Sequence, residues 1–169
     1  MSDTIFEDFL DNTTRETESF LAPSDVARFV RLPLPGVGLF IVTYDIPYLA
    51  QDPSGGIRVA PGPLHAAIRF GPSYLQHVSP LEIVQVKEKD LFHSNFSWPV
   101  LCAGAVRPGM SLPLVIRHVY EILSYANYAT DDGLNPFACA RLREEPGLLR
   151  LLPPRPRLVR RRLELETRS

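Results

Sequence analysis

The spacing of apolar residues changes twice along the chain, and each change marks a different kind of element. Within residues 1–22, Ile5, Phe6, Phe9 and Leu10 recur at helical spacing among acidic and threonine positions, with Phe20 and Leu21 further on. This predicts a short amphipathic N-terminal helix. Leu32-Pro-Leu-Pro-Gly-Val-Gly38 follows as a breaker-rich lead-in. Residues 39–44 (Leu-Phe-Ile-Val-Thr-Tyr) then read as a strand that Pro47 ends, and the Gln51-Asp-Pro-Ser-Gly-Gly56 run reads as a turn. Further strands are predicted at 57–59, 65–70 and 81–88. The last sets Ile83, Gln85 and Lys87 against Val84 and Val86, as in a sheet with one covered face. Short strands with no helix between them indicate an antiparallel meander.

Past residue 110 the helical period returns. Leu112, Val115, Ile116, Val119, Ile122, Leu123 and Ala126 share one face, with Ser111 as expected N-cap and Pro113 in the first turn. A second helix is predicted over 137–144, capped by Asn135, opened by Pro136 and stopped by Pro146-Gly147. The expected fold class is α+β: an N-terminal helix, a four-stranded antiparallel meander, a loop, then C-terminal helices. Residues 1–147 form the expected domain and 148–169 an Arg/Pro-rich tail. The tail carries Arg155, Arg157, Arg160, Arg161 and Arg162 among Pro153, Pro154 and Pro156, a composition expected to be solvated. Its leucines, including the alternating Leu163 and Leu165, leave room for a docked strand or a partner-binding arm.

Composition narrows the function classes. The 169 residues are 45% hydrophobic and 22% charged, which suits a globular domain, and a net charge of -1 makes no case for nucleic-acid or membrane binding. The two cysteines, Cys102 and Cys139, have no zinc-type pairing, so neither metal nor cofactor is expected. They supply no disulfide framework either, which fits a reducing, cytoplasmic setting. The acidic N-terminus (Asp3, Glu7, Asp8, Asp11) lacks the basic region of a signal peptide, and no apolar run approaches the ~18 residues needed to span a bilayer. Lys87 and Lys89 are the only lysines. Compositional bias accounts for that scarcity; it would also limit self-modification by an activated acyl group.

The chemistry concentrates in Asp90-Leu-Phe-His-Ser-Asn-Phe-Ser-Trp-Pro-Val-Leu-Cys-Ala-Gly104, a polar, turn-rich segment after a strand. It places His93, Asn95 and Cys102 together. A thiolate is a strong nucleophile and, from a thioester, a good leaving group, which suits acyl transfer. The Asn95 amide is placed either to steady the loop or to donate to an oxyanion. The alternative is that Cys102, framed by Val100, Leu101 and Ala103, is buried filler. Cys139 falls inside the last predicted helix and reads as structural.

In this order of elements the chain resembles the ubiquitin-conjugating enzyme family, particularly its divergent prokaryotic branch. His93-Ser94-Asn95 stands where that family has His-Pro-Asn, and Cys102 follows seven residues after Asn95, close to the family spacing. Phe70-Gly71-Pro72 with Ser79-Pro80 looks like the proline-containing connection before the last strand, and 127–135 like the acidic loop flanking the cysteine. The resemblance covers roughly residues 38–145. Ser94 departs from the family proline, the Trp-Ser-Pro motif after the cysteine is absent, and the tail is unlike the family's final helices.

The resemblance implies a carrier reaction. An adenylating, ubiquitin-activating-like enzyme passes a ubiquitin-like modifier to Cys102, and an amine then attacks the thioester. Asn95 supports the loop or the oxyanion, His93 holds the loop by hydrogen bonds rather than acting as a base, and Asp131 or Asp132 orients the attacking amine. A plain turn before Gly133 explains either aspartate equally well. An idle carrier would modify itself at Lys87 and Lys89. The prokaryotic branch implies neighbours as well, often including a metal-dependent deconjugating peptidase, and a role in bacterial antiphage defence. Three rivals stand beside this reading: a catalytically silent binding or scaffold module of the same fold, a Cys–His hydrolase using Cys102 with His65, His77, His93 or His118, and a domain whose Arg-rich tail binds nucleic acid.

Overall fold

In a computed structural model, which describes residues 4–159, helix α1 (Thr4–Leu21) and helix α2 (Leu112–Leu123) pack on one face of an antiparallel sheet. The strands are β1 (Ala27–Leu34), β2 (Val37–Tyr44), β3 (Tyr48–Gln51), β4 (Ile57–Ala60), β5 (Leu64–Phe70), β6 (Val84–Val86), β7 (Phe96–Ser97) and β8 (Val100–Leu101). Six of them form one sheet in the order β1-β2-β5-β6-β8-β7, while β3 and β4 pair separately. Helix α3 (Pro136–Glu144) and a 3-10 turn (Pro146–Leu151) follow. The chain is α+β, with an N-terminal helix, an antiparallel sheet and C-terminal helices.

Side-chain alternation builds the core. On β2, Phe40, Val42 and Tyr44 point inward, and on β5 Leu64, Ala66, Ile68 and Phe70 do the same, all fully buried. They meet Phe6 and Leu10 of α1 and Leu112, Val115, Ile116, Val119 and Leu123 of α2. Two hydroxyls cross the layers. Tyr44 donates to the Ile116 carbonyl at 3.0 Å, and buried Thr13 of α1 accepts the Leu112 N–H at 2.6 Å.

The second bond corrects an expectation. Ser111 occupies the α2 N-cap position but makes no side-chain cap bond; the first free N–H of the helix is satisfied by the neighbouring helix instead. Asn135, by contrast, caps α3 as expected, its side chain accepting the Ala138 N–H at 3.0 Å.

Three more expectations change. The breaker-rich stretch 32–38 is the end of β1, a two-residue turn and the start of β2: Leu34 pairs with Val37 around Pro35 and Gly36, and Gly36 takes the positive φ of 67° that glycine tolerates. Pro33 is accommodated because β1 lies at the sheet edge. The strand at 57–59 is not part of the meander; it is β4, paired with β3, a strand the sequence reading missed, in a hairpin inserted between β2 and β5. The strand predicted over 81–88 is regular only over Val84–Val86.

As far as residue 159 the tail keeps its arginines and prolines exposed, as expected, but its leucines dock it onto the domain. Leu148, Leu149 and Leu152 pack on Leu49, Phe92, Tyr125, Ala138 and Leu142. Leu158 is buried, and its carbonyl accepts the Ser24 hydroxyl at 2.5 Å. Arg160–Arg162, Leu163 and Leu165 lie outside the described residues. Among those described, no helix is long and apolar enough to cross a membrane.

Gly38 shows how closely α1 approaches the sheet. A Cβ there would lie 2.5 Å from Leu10 Cδ2, 3.1 Å from the Phe40 ring and 3.3 Å from Phe70 Cβ. Gly38→Ala is expected to destabilise the fold by about 1–3 kcal/mol through overpacking, read as a lower urea midpoint at unchanged slope.

Candidate active site

The segment expected to be a loop is a tight hairpin. Phe96 pairs with Leu101 and Ser97 with Val100, leaving Trp98-Pro99 as the turn. Continuing that register sets Asn95 opposite Cys102, and the Cys102 N–H donates to the Asn95 carbonyl at 2.8 Å. Directly opposed residues of an antiparallel pair share a face with Cβ atoms about 4.5–5.5 Å apart. The ladder stops here because the Asn95 N–H turns away and donates to His93 Nδ1 at 3.0 Å. Both residues remain partly exposed, whereas His93 and Ser94 are fully buried.

His93 is committed on both ring nitrogens. Nε2 lies 2.8 Å from the Ile122 carbonyl in the last turn of α2, and Nδ1 accepts from Asn95. A carbonyl can only accept, so the proton sits on Nε2 and the ring is the neutral tautomer. Burial depresses its pKa to about 4, with the bond to Ile122 pulling weakly the other way. The ring also lies 4.5 Å from that of Tyr125, a residue at φ 57° whose hydroxyl donates to the Phe92 carbonyl. An imidazole so held has no free lone pair, and it holds the segment's shape.

Asn95 reaches in a second direction. Its Oδ1 accepts the Ala129 N–H at 2.9 Å and the Ser94 hydroxyl at 3.1 Å, which leaves Nδ2 as the donor end of the amide. The Asn135 N–H donates to the Ser94 carbonyl at 2.9 Å. Loop 127–135 is thus fastened to Ser94 and Asn95 at two points. Gly133 lies between these anchors for want of room: a Cβ would sit 2.4 Å from the Ser94 carbonyl oxygen and 2.8 Å from Cys139 Sγ. The backbone partners at 129 and 135 and the Tyr125 hydroxyl left no signal in the sequence; only Asn135, as a helix cap, stood out.

The two aspartates separate. Asp131 pairs with Arg143 at 2.8 Å and accepts the Thr130 hydroxyl. Asp132 is exposed and makes no ion pair among the described residues. Cys139 is buried in α3 against Gly133, as a structural residue would be. No histidine hydrogen-bonds Cys102 among the described residues, and His65 is paired instead with Glu88 at 2.7 Å. Nor do three His, Cys, Asp or Glu side chains there converge on a metal position.

The two lysines sit at the turn end of the hairpin, beside Trp98 rather than Cys102. The Val86 N–H donates to the Pro99 carbonyl, which sets Lys87 level with Trp98, and Lys89 Nζ rests 4.4 Å above the Trp98 ring. Trp98 is four residues from Cys102, about 13 Å of extended chain. No protein-family model matches the chain, and no curated protein or solved structure shows significant similarity to it.

Because the folded pKa of His93 lies below its unfolded value of 6.5, the unfolded chain binds more protons between pH 6.5 and 4. Stability is therefore full above pH 6.5 and falls with pH through that window, by on the order of 3 kcal/mol. In urea titrations across the window, His93→Gln should flatten this dependence; an unchanged slope would place the titrating group elsewhere.

Proposed function

We propose that this chain is a ubiquitin-conjugating-like carrier enzyme that holds a ubiquitin-like protein as a thioester on Cys102 and transfers it to an amine. The observation that carries the reading is the pairing of Asn95 and Cys102 across one hairpin whose base is locked by His93 and whose flank is loop 127–135. An antiparallel run β1-β2-β5-β6 behind an N-terminal helix, then a cysteine-bearing hairpin and two helices, supports a ubiquitin-conjugating-like fold. The β3–β4 hairpin and the docked segment 148–159 would be this chain's own additions.

In the first step the Cys102 sulfur attacks the modifier's C-terminal carbonyl, held as a thioester on an adenylating, activating enzyme, and that enzyme's thiol departs. In the second an amine nitrogen attacks the new thioester, the tetrahedral oxyanion collapses, and the Cys102 thiolate leaves. The nitrogen's surplus proton passes to a base. The Asn95 amide oxygen is already bound to Ala129, so Nδ2 is the group available to an oxyanion; loss of such a donor costs about 2.7–4 kcal/mol. His93 is a positioning residue. Asp132, lacking the arginine partner of Asp131, is the carboxylate available to orient the amine and accept its proton. A cytoplasmic, bacterial antiphage conjugation system, with its modifier and a metal-dependent deconjugating peptidase as partners, belongs to the same proposal and rests on the resemblance to the prokaryotic branch.

Incubation with activating enzyme, modifier and ATP, followed by non-reducing electrophoresis, should give a thiol-sensitive adduct. Cys102→Ser should replace it with a more stable oxyester or abolish it, and Cys139→Ala should leave it intact. No adduct on the wild-type chain would favour a silent binding module. Asn95→Ala should slow single-turnover discharge to an amine by roughly 100-fold or more while charging changes less; equal loss in both steps would limit Asn95 to holding loop 127–135.

Charged enzyme left without acceptor should keep Lys87 and Lys89 unmodified, since Lys87 is level with Trp98 and Lys89 packs on its ring, about 13 Å of extended chain from Cys102. Peptide mapping checks this, and efficient modification of either lysine within one molecule would contradict the register.

A further inference from the structure

A groove of about 600 Å³ runs between α2 and the docked chain 155–159. Arg117, Arg155 and Arg157 line it, and Glu121 is the one carboxylate in its wall among the described residues. None of these arginines forms an ion pair among the described residues. The Arg117 guanidinium lies 5.4 Å over the Phe20 ring, a contact that orients the group without neutralising it. The far wall is anchored on both sides of Arg157: the Tyr120 hydroxyl donates to the Pro156 carbonyl, and the Ser24 hydroxyl donates to that of Leu158. Leu158 is turned into the core while Arg155 and Arg157 stay exposed. Pro153, Pro154 and Pro156 restrict φ around them. The fold thus presents guanidinium groups on a fixed wall rather than on a free tail.

We propose that this groove docks a short acidic peptide segment of a partner protein. Planar guanidinium groups take carboxylates through paired hydrogen bonds, and groups already positioned lose less freedom on binding. A peptide is favoured over nucleic acid because Glu121 in the wall repels a continuous phosphate backbone but can be bypassed by spaced carboxylates. The site stands independently of thioester chemistry at Cys102.

The test is fluorescence anisotropy of the full chain with a fluorescein-labelled peptide of alternating glutamate and glycine, beside a labelled single-stranded oligonucleotide of equal charge. Saturable peptide binding is expected, weakened about tenfold or more by the pair Arg155→Glu and Arg157→Glu. The charge-matched pair Arg15→Glu and Arg107→Glu, outside the groove, should bind nearly as well as the wild type. Arg155→Gln with Arg157→Gln carries the same test if the reversed pair is less soluble, with thermal melting confirming the fold. Absence of saturable peptide binding, a loss no greater than in the control pair, or tighter binding of the oligonucleotide would overturn the proposal.

Discussion

One buried imidazole joins the parts of this molecule that make up the candidate site. His93 donates from Nε2 to the last turn of α2 and accepts at Nδ1 from the backbone of Asn95. A neutral ring can do both at once only in one tautomer, and the desolvation that depresses its pKa keeps it neutral. The helix end, the buried pair His93-Ser94 and the start of the hairpin are thereby one unit. If the ring were charged, Nδ1 would become a donor facing a donor, and the Asn95 N–H would lose its partner.

Rigidity then passes outward through backbone groups. The hairpin of β7 and β8 sets Cys102 beside Asn95, while the Asn95 amide oxygen and the Ser94 carbonyl hold loop 127–135 from the other side. Few charged groups take part. A site assembled from main-chain hydrogen bonds leaves the partly exposed Cys102, the Nδ2 hydrogens of Asn95 and the Asp132 carboxylate uncommitted, as the proposed transfer chemistry requires. The same economy explains Gly133: two backbone segments approach so closely that no side chain fits between them.

The charges are distributed elsewhere. Arg31 of β1 meets Asp11 of α1 at the sheet edge, Arg143 takes Asp131, and Arg117 of α2 gathers with Arg155 and Arg157 without ion-pair partners among the described residues. Exposed pairs of this kind add little stability. What holds residues 148–159 to the domain is the burial of Leu148, Leu149, Leu152 and Leu158.

Much of the layout was legible in the sequence, because helix and strand leave different hydrophobic periods. The N-terminal helix, α2, α3 with its Asn135 cap, and the strands that became β2 and β5 all follow from local pattern. So did the grouping of His93, Asn95 and Cys102, since nearness in sequence limits distance in space. Other features depended on partners distant in sequence. Thr13 replaces Ser111 at the start of α2 because α1 packs there. Residues 32–38 form a turn between strands because β1 has β2 to pair with. Leu148, Leu149 and Leu152 pack inward because α3, Leu49, Phe92 and Tyr125 offer them a surface, although arginine and proline set the local composition. His93 ended as a neutral strut and Asp131 as an ion-pair partner for the same reason. Periodicity reports which face of an element is apolar, whereas the state of a titratable or capping group depends on the atoms that the fold brings against it.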